Sequence, residues 1–321
     1  MSLAPYVRIL GRGPGRSRSL TREEAREAMA LILSGEAAPE AIGALLMLMR
    51  FRGETAGEVA GFVEAARDML PPWPGATPML DWPSYAAGRT RGLPWFLLSA
   101  RLVARAGAPV LLHGWNSHQR AAASVRSALP AAGIAEAASM EQAADLIARE
   151  GIAYLPLEAF APRLLELLRL RDVLGLRSAV NTVLRVLNPS RAPAAVQGVF
   201  HPPYRELQAD ACDLLGQPAM TVLKGGGGEF ERHPSKDIAL YGTRNGTRWE
   251  ASAAALEDDH RRLADAAPDP DDLARLWTGE LDDPFASAIV LGTAELALET
   301  CGLPAAMAQD LWTNRNTARA A

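Results

Sequence analysis

The sequence predicts an α/β protein with a small N-terminal helical domain and a larger α/β domain built on a mostly parallel sheet. Three observations predict it. Residues 20–70 carry apolar side chains at helical spacing. The run Pro71-Pro72-Trp73-Pro74-Gly75 then breaks the chain. Beyond it, short apolar strand-like runs alternate with helical stretches. At about 100–200 residues per domain, a chain of 321 residues holds two.

The helical part is read first. Thr21, with Glu24 three residues on, makes a capping box. The helix it opens places Ala25, Met29, Ile32 and Leu33 on one face and closes at Gly35. Pro39 opens a second helix, PEAIGALLMLMRFRG, apolar on most sides, and Thr55 precedes a third. A helix at 39–52 that is apolar nearly all round has more apolar surface than one small domain covers. The expectation is a homodimer through the N-terminal helices. Residues 1–75 are therefore assigned to a helical dimerisation domain, joined by two helices within 160–190, and residues 78–321 to the α/β domain. Strands are expected at Pro78–Trp82, Ala108–His113, Ile152–Leu155, Ala194–Phe200 and Ala219–Leu223, with helices at Leu93–Ala106 and 119–130.

Charge narrows the function classes. The net charge of −4 and pI near 5.8 exclude a bulk basic field for nucleic acid. The distribution is less even. All basic residues are arginine except Lys224 and Lys236, which flank one loop. Arg8, Arg12, Arg16, Arg18, Arg22 and Arg26 crowd the first 26 residues, and acid collects at 257–272. The most apolar stretch, Ala41–Met49, ends at Arg50 and is too short to cross a bilayer, so no membrane role is expected. Cys212 and Cys301 are too few and too distant for a disulfide framework or a metal site. No apolar signal segment follows the first arginines. A cytoplasmic protein is expected.

The segment TREEAREAMALILSGEAAPEAIGALLMLMRFRGETAGEVAGF (21–62) resembles the N-terminal domain of anthranilate phosphoribosyltransferases and pyrimidine nucleoside phosphorylases. The likeness continues through LRDVLGLRSAVNTVLRVLNP (170–189) and VQGVF (196–200) to ELALETCG (295–302). It implies a helical dimerisation domain, an α/β domain and a ligand cleft between them. It also implies where the chain departs from its relatives. The family's Gly-Thr-Gly-Gly-Asp diphosphate turn is matched by Asp81-Trp82-Pro83-Ser84-Tyr85-Ala86-Ala87-Gly88-Arg89. Its Lys-His-Gly-Asn-Arg stretch is matched by Leu112-His113-Gly114-Trp115-Asn116. Its magnesium-binding Asp-Glu pair is matched by Phe230-Glu231, one carboxylate short. These departures resemble the YbiB-type paralogues, which are dimeric nucleic-acid-binding proteins. Ser84, Tyr85, Gly88 and Arg89 match one of their elements in part. Gly228-Glu229 with Arg232, His233 and Lys236 matches another.

The candidate site residues follow. Ser84, Tyr85, Gly88 and Arg89 stand at the diphosphate turn, and His113, Gly114 and Asn116 at the next strand end. Arg177 matches the family arginine that meets the acceptor carboxylate; it is either that or a helix-start arginine paired with an acid. His113 is either a ligand contact or a hydrogen-bonded packing residue. Gly225 and Gly226, in the run Gly225–Gly228 beside Lys224, either cradle an anion or form a plain surface loop. The run lacks the P-loop pattern. Lys224, Arg232, His233, Lys236, Arg89 and Arg91 form a candidate nucleic-acid patch. Trp82, Trp115 and Tyr85 are candidate stacking residues or core.

The expected function is a catalytically degenerate homologue that binds DNA or RNA without sequence preference and needs no cofactor. The alternative is an active glycosyl or phosphoribosyl transferase on another acceptor, with Glu231 holding magnesium. A third reading keeps the pocket around Arg177 as a small-molecule sensor.

Overall fold

The structure, a computed structural model, describes residues 2–13, 15–86, 92–115, 124–258 and 269–316. Four helices lead: α1 (Ala4–Gly11), α2 (Arg22–Leu33), α3 (Pro39–Arg52) and α4 (Ala56–Asp68). Both α2 and α4 start with a complete capping box, Thr21 with Glu24 and Thr55 with Glu58. The α4 box is shared, because Glu58 also accepts the Leu20 N–H at 2.9 Å and so fixes how α2 enters. Gly61 lets the two helices close up: a Cβ there would stand 2.2 Å from the Arg22 carbonyl oxygen.

The α/β part runs β1 (Leu80–Ser84), α5 (Phe96–Arg105), β2 (Val110–Gly114), α6 (Val125–Ala132), α7 (Met140–Glu150) and β3 (Ile152–Pro156). Four helices follow: α8 (Leu157–Phe160), α9 (Pro162–Arg169), α10 (Arg171–Leu174) and α11 (Val180–Val186). Then come β4 (Ala194–Val199), α12 (Tyr204–Leu214), β5 (Ala219–Lys224), β6 (Ile238–Arg244) and β7 (Thr247–Ala253). Helices α13 (Asp272–Thr278), α14 (Pro284–Thr300) and α15 (Met307–Thr313) end it. The sheet order is β3-β2-β1-β4-β5-β6-β7. Strands β1 to β5 are mutually parallel; β6 and β7 form an antiparallel hairpin at one edge. The fold class expected from the sequence is the one observed.

Two cores cover the two faces of the sheet, as the alternation of a strand requires. On one face Leu111, Ala153, Leu155 and Ala195 join residues of α2, α3, α4, α9 and α11. On the other Leu80, Trp82, Leu112 and Val196 join α5, α6, α13 and α14. Helices of the 157–187 stretch pack against the N-terminal ones. Arg163 of α9 donates to the Ile32 carbonyl at 3.1 Å, and Arg67 of α4 donates to the Leu187 carbonyl at 2.7 Å. Burial pushes the Arg67 guanidinium down to about 10, still charged at neutral pH.

Several expected boundaries move. The first strand is Leu80–Ser84, not Pro78–Trp82. Pro83 inside it breaks no ladder, because pairing with β4 stops at Asp81 and the proline nitrogen faces that side. The β6–β7 hairpin was not anticipated. Its signal is Asn245-Gly246, both at positive φ (51° and 70°), the pair a tight hairpin favours. The helix expected at 119–130 begins at Val125, and residues 119–123 lie outside the described ones. The apolar surface of α3 is largely covered within the chain. Ile42, Leu45, Leu46 and Met49 are buried, while Phe51 is 91% exposed.

Candidate ligand cleft

The strand order reverses between β1 and its neighbours β2 and β4, so the crevice beyond their C-terminal ends is where an open α/β sheet holds ligands. Here Ser84–Ala86, Gly114, Val199 and Lys224 converge. A segment from Gly225 to Glu231 crosses them closely. A Cβ on Gly198 would stand 1.9 Å from the Glu229 carbonyl carbon, and one on Gly225 would stand 1.7 Å from the Glu229 carbonyl oxygen. The glycines thus serve close backbone packing. Their N–H groups are used inside the protein: Gly225 donates to Val199 at 3.2 Å, Gly226 to Glu231 at 3.0 Å and Gly228 to Gly225 at 3.0 Å. The expectation that Gly225 and Gly226 cradle an anion is corrected on this ground.

The segment delivers two buried carboxylates to the places where a phosphate would meet backbone donors. Glu229 accepts the Ser84 hydroxyl at 2.9 Å and the Ala86 N–H at 3.2 Å. Glu231 accepts the Phe96 N–H at 3.1 Å, at the start of α5. A helix N-terminus and a turn after a strand are ready anion sites; here the chain's own carboxylates fill both. Phe230 between them is locked edge-on against Trp82, with ring centroids 5.5 Å apart. Both carboxylates use oxygens to accept hydrogen bonds from the protein, which competes with their use as magnesium ligands.

The other expected residues separate into core and surface. Tyr85 is 2% exposed and pairs its hydroxyl with His113 Nδ1 at 2.9 Å. Nε2 of His113 lies 3.2 Å from Asp81, which is equally buried. His113 and Tyr85 are therefore packing residues, and neither reaches a ligand; burial also holds the Tyr85 hydroxyl protonated, far above its usual range. Gly114 is needed because a Cβ would stand 2.1 Å from the Ser84 carbonyl oxygen. Trp82 is wholly buried between Phe96 and Phe230, so it cannot stack on a base. Trp115 is half-buried against the core. Arg232 is also turned inward. It donates to the Ala254 carbonyl at 2.7 Å, and another of its nitrogens lies 3.8 Å from Glu295. It cannot act as a surface phosphate contact. His233 is half-buried, edge-on to Phe285. Lys224 and Lys236 are exposed. Gly88, Arg89, Arg91 and Asn116 lie outside the described residues.

Positive charge gathers elsewhere, in a pocket of about 420 Å³ between α3, α10, α11 and α12. Its floor is Asn181, Thr182, Arg185 and Gln208, all buried. Arg185 is held from below, donating to the Asn181 carbonyl at 3.0 Å and the Tyr85 carbonyl at 2.9 Å. Burial pushes it down to about 10, so it stays charged at neutral pH. The rim carries Arg50, Arg171, Arg177, Phe200, His201 and Tyr204. Arg50 donates to the Tyr204 hydroxyl at 2.7 Å, which bridges the two domains. Arg177 makes no ion pair among the described residues; burial first, then Arg171 and Arg50, lowers its pKa. Lys224 pairs with Val199 across the ladder and so stands beside this rim. Sequence reading found Arg177 but missed Arg50, Arg171 and Arg185. Only Arg171 had a local hint, since it and Arg177 flank the Leu174-Gly175 turn.

Residues 4–69 match the helical bundle domain of a glycosyl transferase family. An anthranilate phosphoribosyltransferase of Rhizobium rhizogenes is 31% identical over 274 residues, covering 85% of this chain and 77% of that protein. The chain belongs to the anthranilate phosphoribosyltransferase family. The Thermomicrobium roseum enzyme of that name is 29% identical over 288 residues, 89% of this chain and 82% of its own. The anthranilate phosphoribosyltransferase of Thermus thermophilus superposes with a TM-score of 0.82 at 25% identity, covering 98% of this chain and 95% of its own. A Saccharomyces cerevisiae enzyme, solved in complex with PRPP and Mg, gives 0.78 at 15% identity, with 98% and 94% covered; at that identity only the fold is shared. Within the anthranilate phosphoribosyltransferase family, then, this chain keeps the architecture and puts Glu229 and Glu231 against the N–H groups of Ala86, after the first strand, and Phe96, at the start of α5.

Proposed function

We propose that this family member is a non-catalytic, dimeric binding protein that holds single-stranded nucleic acid along the cleft without sequence preference, like the YbiB-type paralogues. The observation that carries the loss of catalysis is the occupation of the anion positions at Ala86 and Phe96 by Glu229 and Glu231. The binding track is the row of exposed Lys224, the Phe200–His201 edge and the rim arginines Arg177, Arg171 and Arg50. Phosphates pair with the cations, and Phe200, 47% exposed, offers a face for a base. No metal or cofactor is required. A reducing cytoplasm suits the chain, since Cys212 and Cys301 are both free thiols. Burial pushes each up to about 12, which suppresses thiolate chemistry. No described helix is long and apolar enough to cross a membrane.

Fluorescence anisotropy with a labelled single strand tests the reading. Binding is expected at low salt, with affinity falling by roughly 0.7 power of salt per neutralised phosphate. Changing Lys224 to alanine should flatten that slope for every sequence alike. Absence of binding by a long strand at low salt would overturn the proposal.

The size of the pocket, and the place of Arg177 and Asn181 in it, favour a second reading, transfer to an unidentified small acidic acceptor. That reading requires turnover of phosphoribosyl diphosphate.

For the dimer, the exposed apolar side chains are Phe51 on α3 and Val173 on α10, 83% exposed, from helices that approach at Gly43, where an added Cβ would lie 3.7 Å from Leu174. Sedimentation at micromolar concentration should show a dimer, and Phe51→Glu should shift it to monomer. A monomeric wild type would refute the assembly.

A further inference from the structure

We propose that the arginine pocket is a receptor for a terminal phosphate monoester, so that the protein grips a strand by its phosphorylated end. The inference rests on the nucleic-acid reading and adds a specificity to it.

The shape is the first ground. The lining residues Asn181, Thr182, Arg185 and Gln208 are buried, while Arg50, Phe200 and His201 on the rim are exposed. A pocket floored by buried side chains suits a strand end, which needs no second opening to leave by. Charge is the second ground. Arg50, Arg171 and Arg177 face one another across the rim above Arg185, and Asp172 is the one carboxylate in the lining. A phosphodiester brings a single negative charge, whereas a terminal monoester brings about 1.5 to 2 at pH 7 and three acceptor oxygens. Several guanidiniums around one small volume suit the second group. Gln208 is the third ground. It is 1% exposed, and its Oε1 has no hydrogen-bond partner among the described residues. A buried amide oxygen without a donor asks for one, and Gln208 lines the pocket that a terminal group would enter. Beyond the rim, the Phe200–His201 edge receives the first base and Lys224 the next phosphate.

The phosphate chemistry could come from a strand end or from a free mononucleotide, and the experiment separates them. One labelled oligonucleotide is prepared with a 5′-phosphate, with a 3′-phosphate and with hydroxyls at both ends, and each is titrated at one salt concentration. A phosphorylated end should bind at least about tenfold tighter than the hydroxyl-ended strand, the order expected of charge-assisted hydrogen bonds. In Arg171→Ala and in Arg177→Ala the ratio should fall to about one. In Lys224→Ala all strands should weaken while the ratio persists. Circular dichroism confirms that each variant folds. Equal affinity for all three strands overturns this inference and leaves the nucleic-acid reading standing. If no strand binds, both fall. A mononucleotide that binds more tightly than any strand would place the phosphate site with free nucleotides and overturn strand-end capture.

Discussion

No anthranilate phosphoribosyl transfer is expected when this protein is mixed with phosphoribosyl diphosphate, magnesium and anthranilate. The transition state of such a transfer places negative charge on the departing diphosphate. Preorganised N–H donors and a metal must meet it. Here the Ala86 N–H already faces Glu229, and the Phe96 N–H faces Glu231. Diphosphate would have to displace two buried glutamate side chains from these donors. The Ser84 hydroxyl is also held by Glu229, at 2.9 Å. An isotope assay with labelled diphosphate should therefore give background counts only. Turnover at an ordinary enzymatic rate, about 1–1000 per second, would show that the carboxylates move aside and would favour the transferase reading.

Trp82→Ala should destabilise the protein by about 3–5 kcal/mol, the range for truncating a fully buried large aromatic. Trp82 touches Phe96 at 6.0 Å between ring centroids and Phe230 at 5.5 Å, and it is wholly buried. The damage should reach the cleft, because Phe230 is the anchor between Glu229 and Glu231. Trp82→Phe should cost far less. It keeps most of the apolar contact and removes an indole N–H that has no acceptor among the described residues. Urea unfolding measures both. A Trp82→Ala protein of wild-type stability, with weakened nucleic-acid binding, would restore Trp82 as a stacking residue.

Local chemistry made much of the fold legible. Thr21 with Glu24, and Thr55, marked helix starts, and the structure closes both with a capping box, the second through Glu58. The alternating runs around Ala108–His113 and Ala194–Phe200 marked parallel strands to within two residues. The Asn245-Gly246 pair carries the signal of the hairpin locally as well. The site was less legible, because residue type does not reveal direction. Trp82, Tyr85, His113 and Arg232 have the right chemistry for ligands, yet strand alternation and the packing of α14 turn them inward. The roles of Glu229 and Glu231 depend on Gly198 and Gly225 bringing two distant segments together, which no local pattern encodes. The arginine pocket draws Arg50, Arg171 and Arg185 from three helices separated by more than a hundred residues at the widest, so only the tertiary fold assembles it.

Glu229 and Glu231 occupy the Ala86 and Phe96 N–H groups that a diphosphate would need. Isothermal titration of the protein with phosphoribosyl diphosphate and magnesium should therefore show no saturable heat up to millimolar ligand, and Glu229→Ala together with Glu231→Ala should gain binding, with circular dichroism confirming that the double variant folds. Saturable, magnesium-dependent binding to the wild-type protein at micromolar concentration would contradict this expectation.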